Sequence, residues 1–308
     1  MEEKDLPKIK QHFVPQVYLR GFSPEYEPIG KSNIPKEKFT IFSYDVEKKE
    51  YDSTEAIPIS SICYKKKLYE IYGEDEQIIL PNWLENYLCA FEKMFGIYRT
   101  NLERKTQREN IGTHNFLRKK EKVFWVTFIV IHLLRNAYAL SEAEAAIKEC
   151  VNDNVSDKEI TSIVRKLCLP FFQEINENTQ EAKILEEILT PMYNMQFAVG
   201  VDFDNQLITS DKGISVIAKE FPTDEYNEVI FPITSSICLF LFGNDHKDMY
   251  KDNILFELSE NGKKHVISSV VLDAYKKIYS NHRFNVSEKK YIKEIANERK
   301  SLLKDEDI

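Results

Sequence analysis

The spacing of apolar positions changes twice along the chain. Phe39 to Val46 (FTIFSYDV) alternates apolar and polar residues, which predicts a strand. Upstream, Pro7, Pro15, Pro24, Pro28 and Pro35 leave room only for short elements. Pro58 to Ile71 fits another strand or a short helix. From Pro81 the period lengthens. Trp83, Leu84, Tyr87, Leu88, Phe91, Met94, Phe95, Tyr98 and Leu102 fall on one helical face, with Pro81 suited to a first turn. A second helix is expected from about Asn115 to Val151, apolar all round at its centre and so the core helix. Ser156 opens a third, with Glu159 completing a capping box, and Pro170 ends or kinks it. Thr179 to Tyr193 reads as a fourth.

Strand patterns then return at Gln196–Phe203, Leu207–Thr209, Glu228–Pro232 and Ile237–Phe242, with Asp204-Asn205 suggesting a hairpin turn. Helices are expected again near Asp248–Ser259 and Lys263–Ser280, and the charged tail Ser287–Ile308 reads as a solvated helix. The expected class is α+β: a helical middle packed against an antiparallel sheet formed from the N- and C-terminal segments. Residues 1–75 hold the N-terminal strands, 76–195 the helices, and 196–308 the sheet and C-terminal helices. No flexible linker appears, so one compact unit, 1–308, is expected.

Composition narrows the classes. The chain has 308 residues, 42 Lys plus Arg against 50 Asp plus Glu, and a net charge of −8. That balance argues against broad coating of nucleic acid but leaves room for a local basic groove. Arg99 to Lys122 is such a stretch, either a solvated helix–loop–helix junction or a face for nucleic acid or another anion. Five Cys without a C-x-x-C pair argue against a disulfide scaffold or zinc finger. The N-terminus lacks an apolar signal region, and the longest apolar run, Val123–Leu134, is shorter than the about 20 residues a span needs. A cytoplasmic location without a membrane partner is therefore expected.

No G-x-x-x-x-G-K, H-E-x-x-H or G-x-S-x-G motif occurs. Candidate chemistry rests instead on polar residues in apolar company. His12 lies on an extended approach to Pro15 and is suited to general acid–base work, metal ligation or locking the N-terminal segment. His132 and Arg135 share a face of the expected core helix. A buried guanidinium keeps its charge, so Arg135 needs a carboxylate, a phosphate or carbonyls. Glu92, at the border of an apolar helical face, is a candidate partner for Arg135 or His12. Thr209-Ser210-Asp211-Lys212-Gly213 presents Asp211 at a strand end, as a catalytic carboxylate or a turn residue. Arg108 and His114 have the spacing of a small helical ribonuclease motif, in a context that lacks the expected four-helix bundle.

QHFVPQVYLRGFS resembles the opening of the bacterial domain-of-unknown-function family numbered forty-two thirty-eight, whose pattern His-x-x-Pro-x-x-Tyr-Leu-x-x-Phe is met by His12, Pro15, Tyr18, Leu19 and Phe22. The resemblance extends to Arg135, to Ser210-Asp211 and to Phe231-Pro232, over about residues 10 to 280. The family's usual Asn-Pro after Ser-Asp is replaced by Lys212-Gly213. The resemblance implies an architecture and a residue set, not a reaction. Two functions are carried forward. One is a phosphodiester-directed hydrolase or nuclease-like effector, with His12, Asp211, Arg135 and Glu92 catalytic and Tyr18, Ser210 and His132 binding, in a pocket between helices and sheet. A neutral imidazole with carboxylates can hold a divalent metal, though no ligand spacing demands one. The other is a non-catalytic binding or structural module in which the polar cluster is an internal clamp. The partner expected is nucleic acid or a phosphate-containing ligand, with the oligomeric state left open.

Overall fold

One sheet pairs strands from distant parts of the chain and a second is built within residues 196–257, as seen in a computed structural model that describes residues 9–30, 33–73, 75–151, 155–168, 189–217, 228–243 and 252–305. The first contains β2 (Thr40–Asp45), β3 (Glu50–Tyr51), β4 (Ile57–Pro58), β7 (Thr209–Ser210) and β12 (Lys277–Ser280). Its order is β3-β2-β12-β7, with β4 also on β2, so N- and C-terminal strands pair directly. The second has the order β11-β6-β10-β9-β8 and is built from β6 (Gln196–Val201), β8 (Ser215–Ile217), β9 (Glu228–Pro232), β10 (Ile237–Phe242) and β11 (Ile254–Glu257). Only β11–β6 runs parallel within it. A separate pair joins β1 (Lys10–His12) to β5 (Tyr64–Lys66), with His12 opposite Tyr64.

The ICLFLF run of β10 is buried at all six positions because both faces are covered. Ile237, Leu239 and Leu241 face the larger core, and Cys238, Phe240 and Phe242 face a second one under the C-terminal helices. The larger core centres on α3 (Lys119–Leu134), whose Trp125, Phe128 and Ile129 are sealed. Phe128 stacks on Phe95 of α2 (Trp83–Lys105) at 4.5 Å and on Phe231 at 5.9 Å. Pro15, which has no N–H to satisfy, precedes the short α1 (Gln16–Leu19). Tyr18, Leu19 and Phe22 then drop into this core at 0% exposure. Gly21 is a close approach: a Cβ there would meet the Ile233 carbonyl at 2.9 Å.

The α+β class is as expected, and several boundaries differ. The helix expected over 115–151 is two helices, α3 and α4 (Ala137–Cys150), bent by 59°. Asn136 takes ψ 134 and caps α4, its Oδ1 accepting the Tyr138 N–H at 3.0 Å. Apolar residues continue on both sides of that break, so periodicity cannot see it. The turn at Asp204-Asn205 exists, but β6 and β7 lie in different sheets and form no hairpin. Ile254–Glu257 is a strand rather than helix, because Leu255 buries fully beside β6. The helix expected over 263–280 is α6 (Glu260–Asp273) followed by β12. Pro81 lies outside α2, which starts after Asn82 at φ 57. The Ser156–Glu159 capping box before α5 (Asp157–Cys168) is present. Pro170 and most of Thr179–Tyr193 lie outside the described residues. The charged tail forms α7 (Val286–Asp305).

Among the described residues no single helix is long and apolar enough to cross a membrane. The bent pair α3–α4 passes by length and composition only jointly.

Candidate functional site

Arg135 stands at the C-cap of α3, where the chain turns into α4, and only 4% of it is exposed. Its guanidinium donates to Glu92 Oε1 at 2.9 Å, to the His12 carbonyl at 2.6 Å and to the Tyr69 hydroxyl at 3.4 Å. The Tyr69 hydroxyl in turn donates to the Arg135 carbonyl at 2.9 Å. Burial pulls the guanidinium down, but Tyr69 and Glu92 outweigh it and hold Arg135 above its ordinary value. His12, Glu92 and Arg135 therefore meet, as the buried charge required. Gln11 reinforces the same corner, donating to Glu70 at 2.7 Å and accepting the Tyr69 N–H at 2.7 Å.

The His12 ring is half-buried against Tyr64, with the Gln16 amide nitrogen 3.2 Å from Nε2. Burial pulls its imidazole below the usual range, against the Ser60 backbone and the Glu92 charge, which push it up. That direction favours the neutral form at pH 7. The Glu92 carboxylate keeps 23% exposure.

Asp211 does not join them. Its carboxylate accepts three backbone N–H groups, from Tyr275 at 2.9 Å, Lys276 at 2.9 Å and Lys277 at 3.0 Å. This ends α6 and starts β12. Burial pushes its carboxyl up to about 6, against those three donors. Only its carbonyl is tied toward Arg135, through the Asn136 amide at 2.9 Å. The pocket expected to unite His12, Arg135 and Asp211 is thus two linked knots, because Asp211 spends its charge on main chain. Ser210 Oγ accepts from Lys212 N and Gly213 N, fixing the turn in which Gly213 takes φ 80.

His132 and Tyr18 close the same turn from beneath. His132 Nε2 donates to the Lys212 carbonyl at 3.1 Å, and the Tyr18 hydroxyl donates to the Gly213 carbonyl at 2.8 Å. A Cβ on Gly213 would sit 2.3 Å from His132 Nε2, so only Gly fits. Burial first, and then the Arg135 charge, push His132 down to about 3. Both side chains are 0% exposed. Among the described residues no group of three or more His, Cys, Asp or Glu is placed to hold a metal ion.

The basic stretch divides into spent and free cations. Arg99 is buried and donates to the Val17 carbonyl at 2.6 Å. Lys105, at the end of α2, donates to the Phe116 carbonyl at 2.8 Å and pairs with Glu121 in the first turn of α3 at 3.1 Å. Lys122 pairs with Asp252. Between residues 104 and 120, Arg104, Arg108, Arg118, Lys119 and Lys120 are exposed, against one exposed carboxylate, Glu109. The Lys105 lock draws the end of α2 to the start of α3, so Arg104 and Arg118–Lys120 flank it. The Arg108 guanidinium lies 4.1 Å over the Phe203 ring, and His114 is exposed beside Ile254.

Tyr69, Gln11 and Asn136 were not singled out from the sequence. Tyr69 falls in a segment whose pattern fits either strand or helix, and the other two carry no signal beyond adjacency to His12 and Arg135. Residues 10–284 match the family described as Protein of unknown function (DUF4238). No curated protein and no solved structure matches the chain.

Proposed function

Since the chain belongs to the DUF4238 family, a kinship that names no reaction, we propose its role from the side chains the fold leaves free. It is a non-catalytic module that docks a phosphate-bearing partner, nucleic acid foremost, on the basic end of the α2–α3 pair. The polar knots around Arg135 and Asp211 are internal clamps.

One observation carries this reading. Lys119 and Lys120 occupy the first turn of α3, behind Arg118 at its N-cap. Cations at the positive end of a helix dipole are of the wrong sign for stability, by about 0.3–1 kcal/mol each, and of the right sign for an anion. Inside the fold, by contrast, Arg135, Asp211, His132 and Tyr18 commit hydrogen bonds to main-chain groups.

Neutralising five phosphates gives a log–log salt slope of about −4.5 on duplex DNA or about −3.5 on a single strand. The triple variant Arg118→Ala, Lys119→Ala, Lys120→Ala is expected to stay folded and to lower the magnitude of that slope by about 2–3. Fluorescence anisotropy between 50 and 200 mM salt reads both values. Binding that is absent at low salt, or insensitive to salt, refutes the reading.

A second reading is favoured by a different observation. The neutral His12 imidazole and the Glu92 carboxylate are both partly open beside Arg135. That pair suits a phosphodiester-directed hydrolase in which His12 acts as general base. Glu92 and Arg104 lie twelve residues apart on α2, about 18 Å along its axis, so bound strand could reach both. On this reading His12→Ala abolishes cleavage of oligonucleotides and shifts the melting temperature by no more than a few degrees. Unfolding of the variant, or unchanged cleavage, refutes it.

A further inference from the structure

The paired strands β1 and β5 form a two-stranded ribbon outside both sheets. Its ladder has a fixed phase. Phe13 N–H donates to the Cys63 carbonyl at 2.8 Å, and Lys67 N–H donates to the Ile9 carbonyl at 3.1 Å. Gln11 stands opposite Lys65 midway between them, so Cys63, Lys65 and Lys67 turn their main-chain groups toward β1. Those of Tyr64 and Lys66 therefore point the other way, off the outer edge of β5. Among the described residues, neither N–H and neither carbonyl of these two has a hydrogen-bond partner.

The edge is basic and firmly set. Lys65, Lys66 and Lys67 are all exposed, and from Ala56 to Tyr69 the chain carries no acidic residue. Lys10 adds a cation from β1, its Nζ 4.5 Å from the centre of the Tyr64 ring. The strip stands out on a chain of net charge −8. At each end β5 stops in a left-handed residue, Cys63 at φ 51 and Lys67 at φ 53. That conformation is uncommon outside Gly, and it persists where the surroundings over-determine it. The two ladder bonds hold both residues, and the Cys63 thiol also donates to the Tyr279 hydroxyl at 3.2 Å. An edge this short and fixed loses little freedom when a partner pairs with it.

We infer that the outer edge of β5 takes up an acidic, extended segment of a partner protein as a third strand. The unmet main-chain groups do the pairing, and charge selects the partner. Lys66 and Lys10 lie on one face of the ribbon and Lys65 on the other, so carboxylates on either face of the added strand meet a cation. Tyr64, half-buried against His12, offers its ring to an apolar residue beside it. Two copies of the chain joined edge to edge would instead set lysines against lysines.

The test uses an acetylated, amidated heptapeptide of alternating Glu and Val on the full chain at about 50 mM salt, with a Lys and Val heptapeptide as control. The acidic peptide alone is expected to bind, to weaken as salt rises, and to slow hydrogen exchange at the Tyr64 and Lys66 amides, read by NMR. The Lys65 amide, already bonded within the ribbon, is expected to keep its rate. Lys66→Thr and Lys66→Pro remove the same charge, but only proline also removes the outward N–H, and it leaves the ladder to β1 intact. Lys66→Pro is expected to bind the peptide at least about two- to 12-fold more weakly than Lys66→Thr, the scale of one main-chain hydrogen bond. Should proline unfold the chain, the exchange rates decide alone. Equal binding by the two variants, or binding that leaves both amides exchanging as in the free protein, shows charge attraction only and overturns the inference. No binding at about 1 mM peptide overturns it as well. So does an oligonucleotide whose binding is lost in the Lys65→Ala, Lys66→Ala, Lys67→Ala variant while the peptide fails to bind, an outcome that gives these cations to nucleic acid.

Discussion

Replacing Arg135 with alanine is expected to lower the unfolding free energy by about 3–5 kcal/mol, the scale for removing one member of a buried ion pair. Most of that loss comes from what the guanidinium leaves behind. The His12 carbonyl and the Tyr69 hydroxyl each lose a donor inside the fold, although the Tyr69 hydroxyl still donates to the residue 135 carbonyl and, at 3.3 Å, to the His12 carbonyl; a buried polar group left unmet costs about 1–3 kcal/mol. Glu92 keeps 23% exposure and can regain water. Glu92→Gln should therefore be milder than Arg135→Ala, because the cation keeps two of its three partners. Arg135→Lys should recover only a minor part, since one ammonium cannot span a carboxylate, a carbonyl and a phenol as a planar fork does. Urea unfolding of the three variants checks the order. A loss below about 1 kcal/mol for Arg135→Ala, or full rescue by Lys, would show that the corner is a surface pair of little consequence.

That Arg135 must find a partner is legible from the sequence, because a guanidinium cannot shed its proton and VFWVTFIVIHLLR is too apolar to leave it solvated. Glu92, at the edge of its helical face, is legible for the same reason. The other two partners are not. A main-chain carbonyl has no residue-type signature, so His12 is marked by its imidazole while Arg135 binds its backbone. The strand runs of β2, β6, β9 and β10 are legible where alternation or β-branched runs are long enough. Four-residue strands such as β11 and β12 are not, because four residues fit a helical turn as well as two pleats. The break at Asn136 is set by tertiary bonds, to Asp211 and within its own cap. The basic stretch is legible as charge, but only the fold separates the committed Arg99, Lys105 and Lys122 from the free cations around them.

Asp211 carries the second large expected effect. Asp211→Ala removes the acceptor of three N–H groups at the exit of α6, each a charge-assisted bond of about 1.5–3 kcal/mol. Tyr275, Lys276 and Lys277 are half-buried residues, close enough to solvent for their N–H groups to partly recover water, so a loss of about 3–5 kcal/mol is expected. The pH dependence separates the two forces acting on this carboxyl. Burial pushes it up to about 6, above the about 3.9 of an unfolded Asp. An acid raised on folding binds more proton in the folded state across pH 4–6. Its stabilisation is therefore present at low pH and withdrawn as pH rises through 6. Between pH 7 and pH 5 this one group adds about 1 kcal/mol to the folded state. Asp211→Asn cannot titrate, so the stability gap between wild type and this variant should widen by that amount as pH falls from 7 to 5. Denaturant unfolding at both pH values measures it. If the gap narrows instead, the three donors outweigh burial, the carboxyl lies below 3.9, and the turn is held by a permanent anion.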